Sequence, residues 1–210
     1  MPSTQTLLIF TLAALAMNLS PGPSNLYVMS RSIAQGIAAG LTATAGLATG
    51  SLFHVVVTSL GLAVVLRYSP FAFTALKLTG AAYLVYLGVK HFRTRPQPIG
   101  DGLAFPKKPL RRIFGESCLV EILNPKTALF FLAFLPQFVA PAAGPVAPQL
   151  LLLGGIVTLT AIPCDALVAL ASGKAASLMR RRPIFLKLQN WVSGSVLVGL
   201  GAYVALVRRD

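Results

Sequence analysis

Asn18-Leu19-Ser20-Pro21-Gly22-Pro23-Ser24-Asn25 interrupts the first long apolar run of the chain, and Leu123-Asn124-Pro125-Lys126 interrupts the fourth. A proline has no N–H, and its ring crowds the carbonyl four residues earlier. Pro21 and Pro23 therefore release the carbonyls of Met17 and Leu19 from a continuous helix, and Pro125 releases that of Glu121. In hydrocarbon, unpaired backbone is tolerated only where protein buries it or water reaches it. Two such breaks, in the opening helices of two halves of one chain, point to the central binding site of a secondary carrier.

Composition supplies the membrane. Of 210 residues, 55% are hydrophobic and 11% charged, where a soluble domain carries about a quarter charged residues. Apolar stretches that reach or exceed ~20 residues are long enough to span a bilayer. The expected fold is all-α and integral to the membrane, with six helices at about 5–30, 37–66, 70–91, 112–139, 148–173 and 188–207. Residues 31–36 read as a short, weakly basic connection, Tyr68-Ser69-Pro70 as a tight turn, and 141–148 as an uncharged, proline-rich loop.

A formal charge of +13 invites a nucleic-acid reading, but its distribution points elsewhere. Seven of the 18 Lys and Arg fall in residues 90–112 and five in 174–187. Short basic connections between apolar spans mark the cytoplasmic side. With both termini outside, thirteen basic residues lie on the inner side and three on the outer, while Lys77 and Lys126 fall within spans. No nucleic-acid module is recognisable. The apolar residues 7–19 have no Lys or Arg before them, so they read as a retained first helix and not as a secretory signal.

The halves look related. Asn18-x-x-Pro21 in helix 1 corresponds to Glu121-x-x-Asn124-Pro125 in helix 4, and Thr79-Gly80 with Gly88 in helix 3 to Ser193-Gly194 with Gly199 and Gly201 in helix 6. Three spans per half turn the second copy upside down, giving an inverted repeat of 1–91 and 112–210 joined by a basic cytoplasmic linker, 92–111. The glycine faces suit packing within the chain or a homodimer.

Three ordered motifs resemble the LysE/RhtB family of amino-acid exporters. They are the residue 18–25 motif followed by Arg31-Ser32 and Gly36, the stretch from Leu76-Lys77-Leu78-Thr79-Gly80 to Gly88, and Leu123-Asn124-Pro125-Lys126 followed by Phe130-Phe131 and Leu135-Pro136-Gln137-Phe138. The resemblance covers essentially the whole chain. It implies a six-helix carrier of the bacterial inner membrane, without cofactor, that exports amino acids or close derivatives and is driven by the proton gradient.

An amino acid presents a carboxylate and an ammonium group. The helix restarting after Pro23 offers free N–H groups at Ser24 and Asn25 with a positive dipole end behind them, suited to the carboxylate. The Met17 and Leu19 carbonyls suit the ammonium. Candidate substrate-binding residues are thus Asn18, Ser20, Pro21, Gly22, Pro23, Ser24 and Asn25 at the first break, and Asn124, Pro125 and Lys126 at the second. Repair of a simple proline kink by the Ser20 or Ser24 hydroxyl is the competing reading. Glu121 lies about 14 Å along helix 4 and is the nearest carboxylate to Lys126, so a structural ion pair is open there. Asp165, after Pro163-Cys164 in helix 5, is the first candidate for proton coupling and Glu121 the second. An anchoring contact from Asp165 to Lys126 or to the Leu159 carbonyl is its alternative. His54, on a Gly46, Gly50, Thr58 stripe, reads as an interhelical partner before a proton relay. Tyr83 either lines the cavity or packs.

Two other functions compete. A metal-efflux carrier requires clustered His, Cys or carboxylate ligands, and the spans hold His54, Glu121 and Asp165 on separate helices. A thiol-redox membrane protein requires facing cysteines, and Cys118 and Cys164 lie in different helices with no CxxC spacing. Neutral amino acids are favoured over lysine or arginine, because Lys126 offsets part of the negative charge within the spans.

Overall fold

A computed structural model describes residues 2–20, 22–62, 70–93, 106–181 and 183–206. Those residues are helical throughout apart from short connections. In chain order the helices are α1 Thr4–Leu19, α2 Pro23–Gln35, α3 Ile37–Val57, α4 Pro70–Arg93, α5 Leu110–Ile122, α6 Pro125–Leu129, α7 Val146–Arg181 and α8 Pro183–Leu206. α3 runs on into a π-helical turn, Thr58–Leu62. α6 runs on through a π-helical turn, Phe130–Phe134, into a 3₁₀ turn, Leu135–Phe138.

Both sequence breaks are present. α1 and α2 meet at 50°, and α5 meets the α6 segment at 43°. Pro23 and Pro125 each stand at the start of the second helix, where a missing N–H has no intrahelical partner to lose. Pro21 lies outside the described residues. α3 with its π turn, and the Val146–Ser172 part of α7, are each long and apolar enough to cross a bilayer, and each bent pair passes as one broken span. The tight turn at 68–70 and most of the linker 92–111 lie outside the described residues.

Helix ends differ from the sequence reading in three places. Residues 31–35 are helical, and the connection to α3 is Gly36 alone, whose φ of 86° is open to glycine at little strain. α7 continues eight residues beyond 173, to Arg181, and α8 begins at Pro183, so the basic segment 174–187 is mostly helix. Lys and Arg are good helix formers, and charge alone does not end a helix. The π turns leave no mark in the sequence.

Several of the glycines bring helices together inside the chain. α3 lies close on α5, where a Cβ on Gly50 would stand 2.6 Å from the Cys118 carbonyl oxygen. α4 and α8 pack along each other, and a Cβ on Gly88 or Gly201 would stand 2.7 Å from the Gly194 oxygen or 2.8 Å from the Ala81 oxygen.

Two apolar clusters divide the interior. One gathers Phe10, Phe130, Phe134 and Phe138 with Leu153 and Leu197; ring centroids there stand 4.7 to 6.3 Å apart. The other is smaller and joins Val28, Ala43, Leu47, Ile113 and Ala169. Along α1 and α2 the order is Met17, then Ser20 and Ser24, then Val28; along α5 and α6 it is Ile113, then Glu121 to Thr127, then Phe130. α3 and α7 repeat this pattern with His54 and Asp165. A polar layer therefore lies between two apolar plugs.

Gly88→Val drives a side chain into the Gly194 backbone, and overpacking of this kind removes about 1–3 kcal/mol. Thermal unfolding of the purified protein in detergent is expected to show that loss, while Gly199→Ala, with open space around it, leaves the midpoint unchanged or higher.

Candidate functional site

The first break begins where α1 runs out of hydrogen bonds. The Ser20 N–H donates to the carbonyls of Ala16 and Met17 at 3.1 and 3.2 Å, and Ser20 itself is extended. Gly22 then caps α2 through its backbone only: its carbonyl accepts from Leu26 N at 3.0 Å, and no side chain closes the first turn. At the second break the sequence provides a cap. The Asn124 Oδ1 accepts from the Lys126 N–H at 3.1 Å, as asparagine does at helix starts.

The two breaks bind each other. The Lys126 Nζ donates to the Ser20 carbonyl at 2.6 Å and the Met17 carbonyl at 3.2 Å. In return, Ser24 Oγ donates to Glu121 Oε2, and Asn124 Nδ2 donates to Ser24 Oγ at 2.8 Å. Thr127 Oγ1 donates to Glu121 Oε1 at 2.8 Å, with Asn124 Nδ2 3.4 Å from the other oxygen. Ser20, Ser24, Glu121, Asn124, Lys126 and Thr127 are all buried, none more than 8% exposed. Pro23 and Pro125 face outward and act through the backbone.

This arrangement corrects one expectation. Lys126 does not pair with Glu121; the ion pairs among the described residues are Lys108–Glu116 and Arg112–Glu116. The helix between Glu121 and Lys126 is broken, so their sequence spacing no longer sets their distance. The second carbonyl on the Lys126 ammonium is that of Ser20, because α1 ends at Leu19 and the Ser20 carbonyl has left the helix. Glu121, Lys126 and Asp165 still lie within one another's electrostatic reach.

Asp165 is buried and accepts from Asn25 Nδ2 at 3.3 Å. Asn25 also lies 3.4 Å from the Asn18 carbonyl, and Asn18 Nδ2 donates to Val157 O and Thr160 Oγ1 at 3.1 and 3.0 Å. α7 is thus tied to both sides of the first break, and it passes through Pro163 without interruption. His54 Nε2 stands 3.0 Å from the Glu121 carbonyl, the group that Pro125 releases. A hydrogen bond between them makes Nε2–H the donor. Tyr83 packs its ring on Tyr86, 5.7 Å between centroids, on a half-exposed face of α4.

Sequence reading missed Thr127, whose hydroxyl in the first turn after the break is in reach of a carboxylate ending the helix before. It also missed the Ser51–Thr158 hydrogen bond at 2.8 Å that joins α3 to α7. Cys118 donates to the Gly46 carbonyl at 3.1 Å, and it and Cys164 are free thiols. Among the described residues no three His, Cys, Asp or Glu side chains stand together as metal ligands would.

One group at the first break has no partner. Ser20 Oγ is fully buried and makes no hydrogen bond. The layer therefore offers a hydroxyl, the first-turn N–H groups of α2 and two carbonyls within one small region.

A family of proteins described as LysE type translocators matches residues 15–208. An uncharacterized membrane protein of Bacillus subtilis, YrhP, is 34% identical over 96% of this chain and 99% of its own length. The homoserine/homoserine lactone efflux protein of Salmonella typhimurium is 31% identical over 95% of both chains. The leucine efflux protein of the same species is 24% identical over 95% of this chain and 94% of its own. No solved structure matches the chain.

Ser24→Ala removes the hydroxyl that links Asn124 Nδ2 to Glu121 Oε2 and leaves only their own 3.4 Å contact between them; loss of buried hydrogen bonds to a charged group removes about 1–3 kcal/mol. Ser20→Ala strands nothing. Melting curves in detergent are expected to drop for Ser24→Ala and to match the parent protein for Ser20→Ala.

Proposed function

The chain belongs to the LysE type translocators, a multi-pass membrane family, and on that premise we propose that it exports a neutral amino acid or a close derivative by proton antiport. Access alternates between the two faces of the membrane around the polar layer. The observation that carries this reading is the meeting of two broken helices in a buried layer with an apolar plug on either side. Opening one plug at a time exposes that layer to one compartment at a time.

The layer suits a zwitterion. The N-terminus of α2 and the Ser20 hydroxyl suit a carboxylate, and the end of α1 suits an ammonium group. Lys126 offsets part of the charge of Glu121 and Asp165, which leaves little to favour a cationic side chain. The relatives named for homoserine and leucine efflux are consistent with a neutral substrate.

In this reading the protein has six spans arranged as inverted repeats, 1–91 and 112–210, with both termini outside and 92–111 in the cytoplasm. Support comes from corresponding parts. The broken α1–α2 matches the broken α5–α6; α3 and α7 pack on each other, as do α4 and α8. Asp165 carries the coupling proton, with Glu121 as second candidate, because burial makes the charge of an isolated carboxylate costly and its proton exchangeable.

Asp165→Asn is expected to abolish concentrative export driven by a pH gradient in proteoliposomes, while one-for-one exchange of labelled amino acid across the membrane persists. Gradient-driven export at the parent rate in a well-expressed variant removes Asp165 from the coupling step.

A further inference from the structure

Lys126 occupies the place that chemistry reserves for a substrate's ammonium. It is an ammonium group, it is buried, and it rests on two main-chain carbonyls, Met17 and Ser20, at the negative end of α1. Both carboxylates of the layer stand beyond ion-pair distance, and both have other donors: Ser24, Thr127 and Asn124 for Glu121, and Asn25 for Asp165. Gly22 lies beneath the lysine, and a Cβ there would come within 3.1 Å of Nζ and 3.2 Å of Cε. Beside it the Ser20 hydroxyl is buried with no partner. The site therefore holds the protein's own cation on its carbonyls and, beside it, a buried hydroxyl with no partner.

Resting on the export reading above, we propose that Lys126 is a tethered competitor for the substrate's ammonium group. In the empty carrier Nζ holds the Met17 and Ser20 carbonyls. An entering amino acid places its ammonium on those carbonyls and its carboxylate on Ser20 Oγ and the first turn of α2. The displaced lysine turns toward Glu121 and Asp165.

This exchange links substrate to proton. A cation brought beside a carboxyl group favours loss of its proton. When Lys126 moves off the carbonyls, the O–H bond of the protonated carboxyl breaks, the proton passes to water, and an ammonium–carboxylate pair remains. When the substrate leaves, Lys126 returns to the carbonyls and the carboxylate regains a proton. Substrate and proton then exclude each other, as antiport requires. The charged and titratable groups facing Lys126 are Glu121 on α5, Asp165 on α7 and His91 on α4; Asp165 also has Cys164 beside it, and His54 on α3 faces the Glu121 backbone.

The competitor also sets the ligand class. A molecule displaces Lys126 only if it carries a free amine, so α-amino acids qualify and their N-acetyl derivatives do not.

The test uses purified full-length protein in weakly buffered detergent solution, with L-homoserine and L-leucine as probes and a pH-sensitive dye as readout. The parent protein is expected to release about one proton for each amino acid bound. Lys126→Met is expected to bind about tenfold more tightly, since it no longer has to vacate the site, and to release none. Gly22→Ala crowds the resting lysine without removing its charge and is expected to bind about threefold more tightly; should Lys126→Met fail to fold, this variant decides. Unchanged or weaker binding in the folded variants overturns the tethered competitor and leaves the export reading standing. A parent protein that binds neither probe nor any of the common amino acids overturns both.

Discussion

Main-chain polar groups have no water to bind inside a bilayer, and this chain breaks two helical pairs that are each apolar and long enough to pass as a span. Each break leaves carbonyls or N–H groups without helical partners. The structure resolves the problem by setting one break against the other. Lys126 from the second half satisfies the carbonyls at the end of α1, while Ser24 from the first half binds Glu121 and Asn124 at the end of α5. Neither half completes its own repair. The rest of the fold holds these two breaks face to face.

The surrounding helices have recognisable parts in that task. α3 reaches the second break through His54 and α7 reaches the first through Val157, Thr160 and Asp165. Small residues let these helices approach closely, as at Gly46 and Gly50 against α5. Above and below, the phenylalanine column and the smaller cluster around Leu47 and Ile113 exclude water from the layer. The smaller plug lies toward the end of the molecule where Gln35 and Lys108 exchange two hydrogen bonds at 2.8 Å and Tyr27, Lys108 and Arg112 converge on Glu116. That end carries Arg31, Lys108 and Arg112. It is closed by polar links backed by a thin apolar layer, whereas the other end is closed by a thick one.

Much of this was legible in the sequence because the signals are local. A proline removes a known hydrogen bond at a known offset, so the positions of both breaks and the release of the Met17 and Glu121 carbonyls followed from residue order. The partners of those carbonyls did not follow. Lys126 and Met17 are 109 residues apart, and only the packed fold brings them together. Proximity in sequence pointed Lys126 to Glu121, and the broken helix between them invalidates that geometry. The extensions of α2 and α7 were missed because Arg31 to Gln35 and the basic run before Pro183 carry charge without any residue that stops a helix. The family itself was readable from three short motifs: two hold the prolines and polar residues of the breaks, and the third holds glycines, Gly80 and Gly88, at which α4 packs closely.

The central claim is that the layer between the plugs receives a small solute during the transport cycle. The direct measurement places a single cysteine at position 20, by Ser20→Cys in a protein with Cys118 and Cys164 replaced by alanine, and follows its reaction with a small charged thiol reagent in membrane vesicles. The account predicts slow modification, reached through the aqueous phase, that millimolar concentrations of the exported amino acid suppress. A thiol that stays unreactive from both sides of the membrane, or one whose rate no amino acid alters, contradicts it.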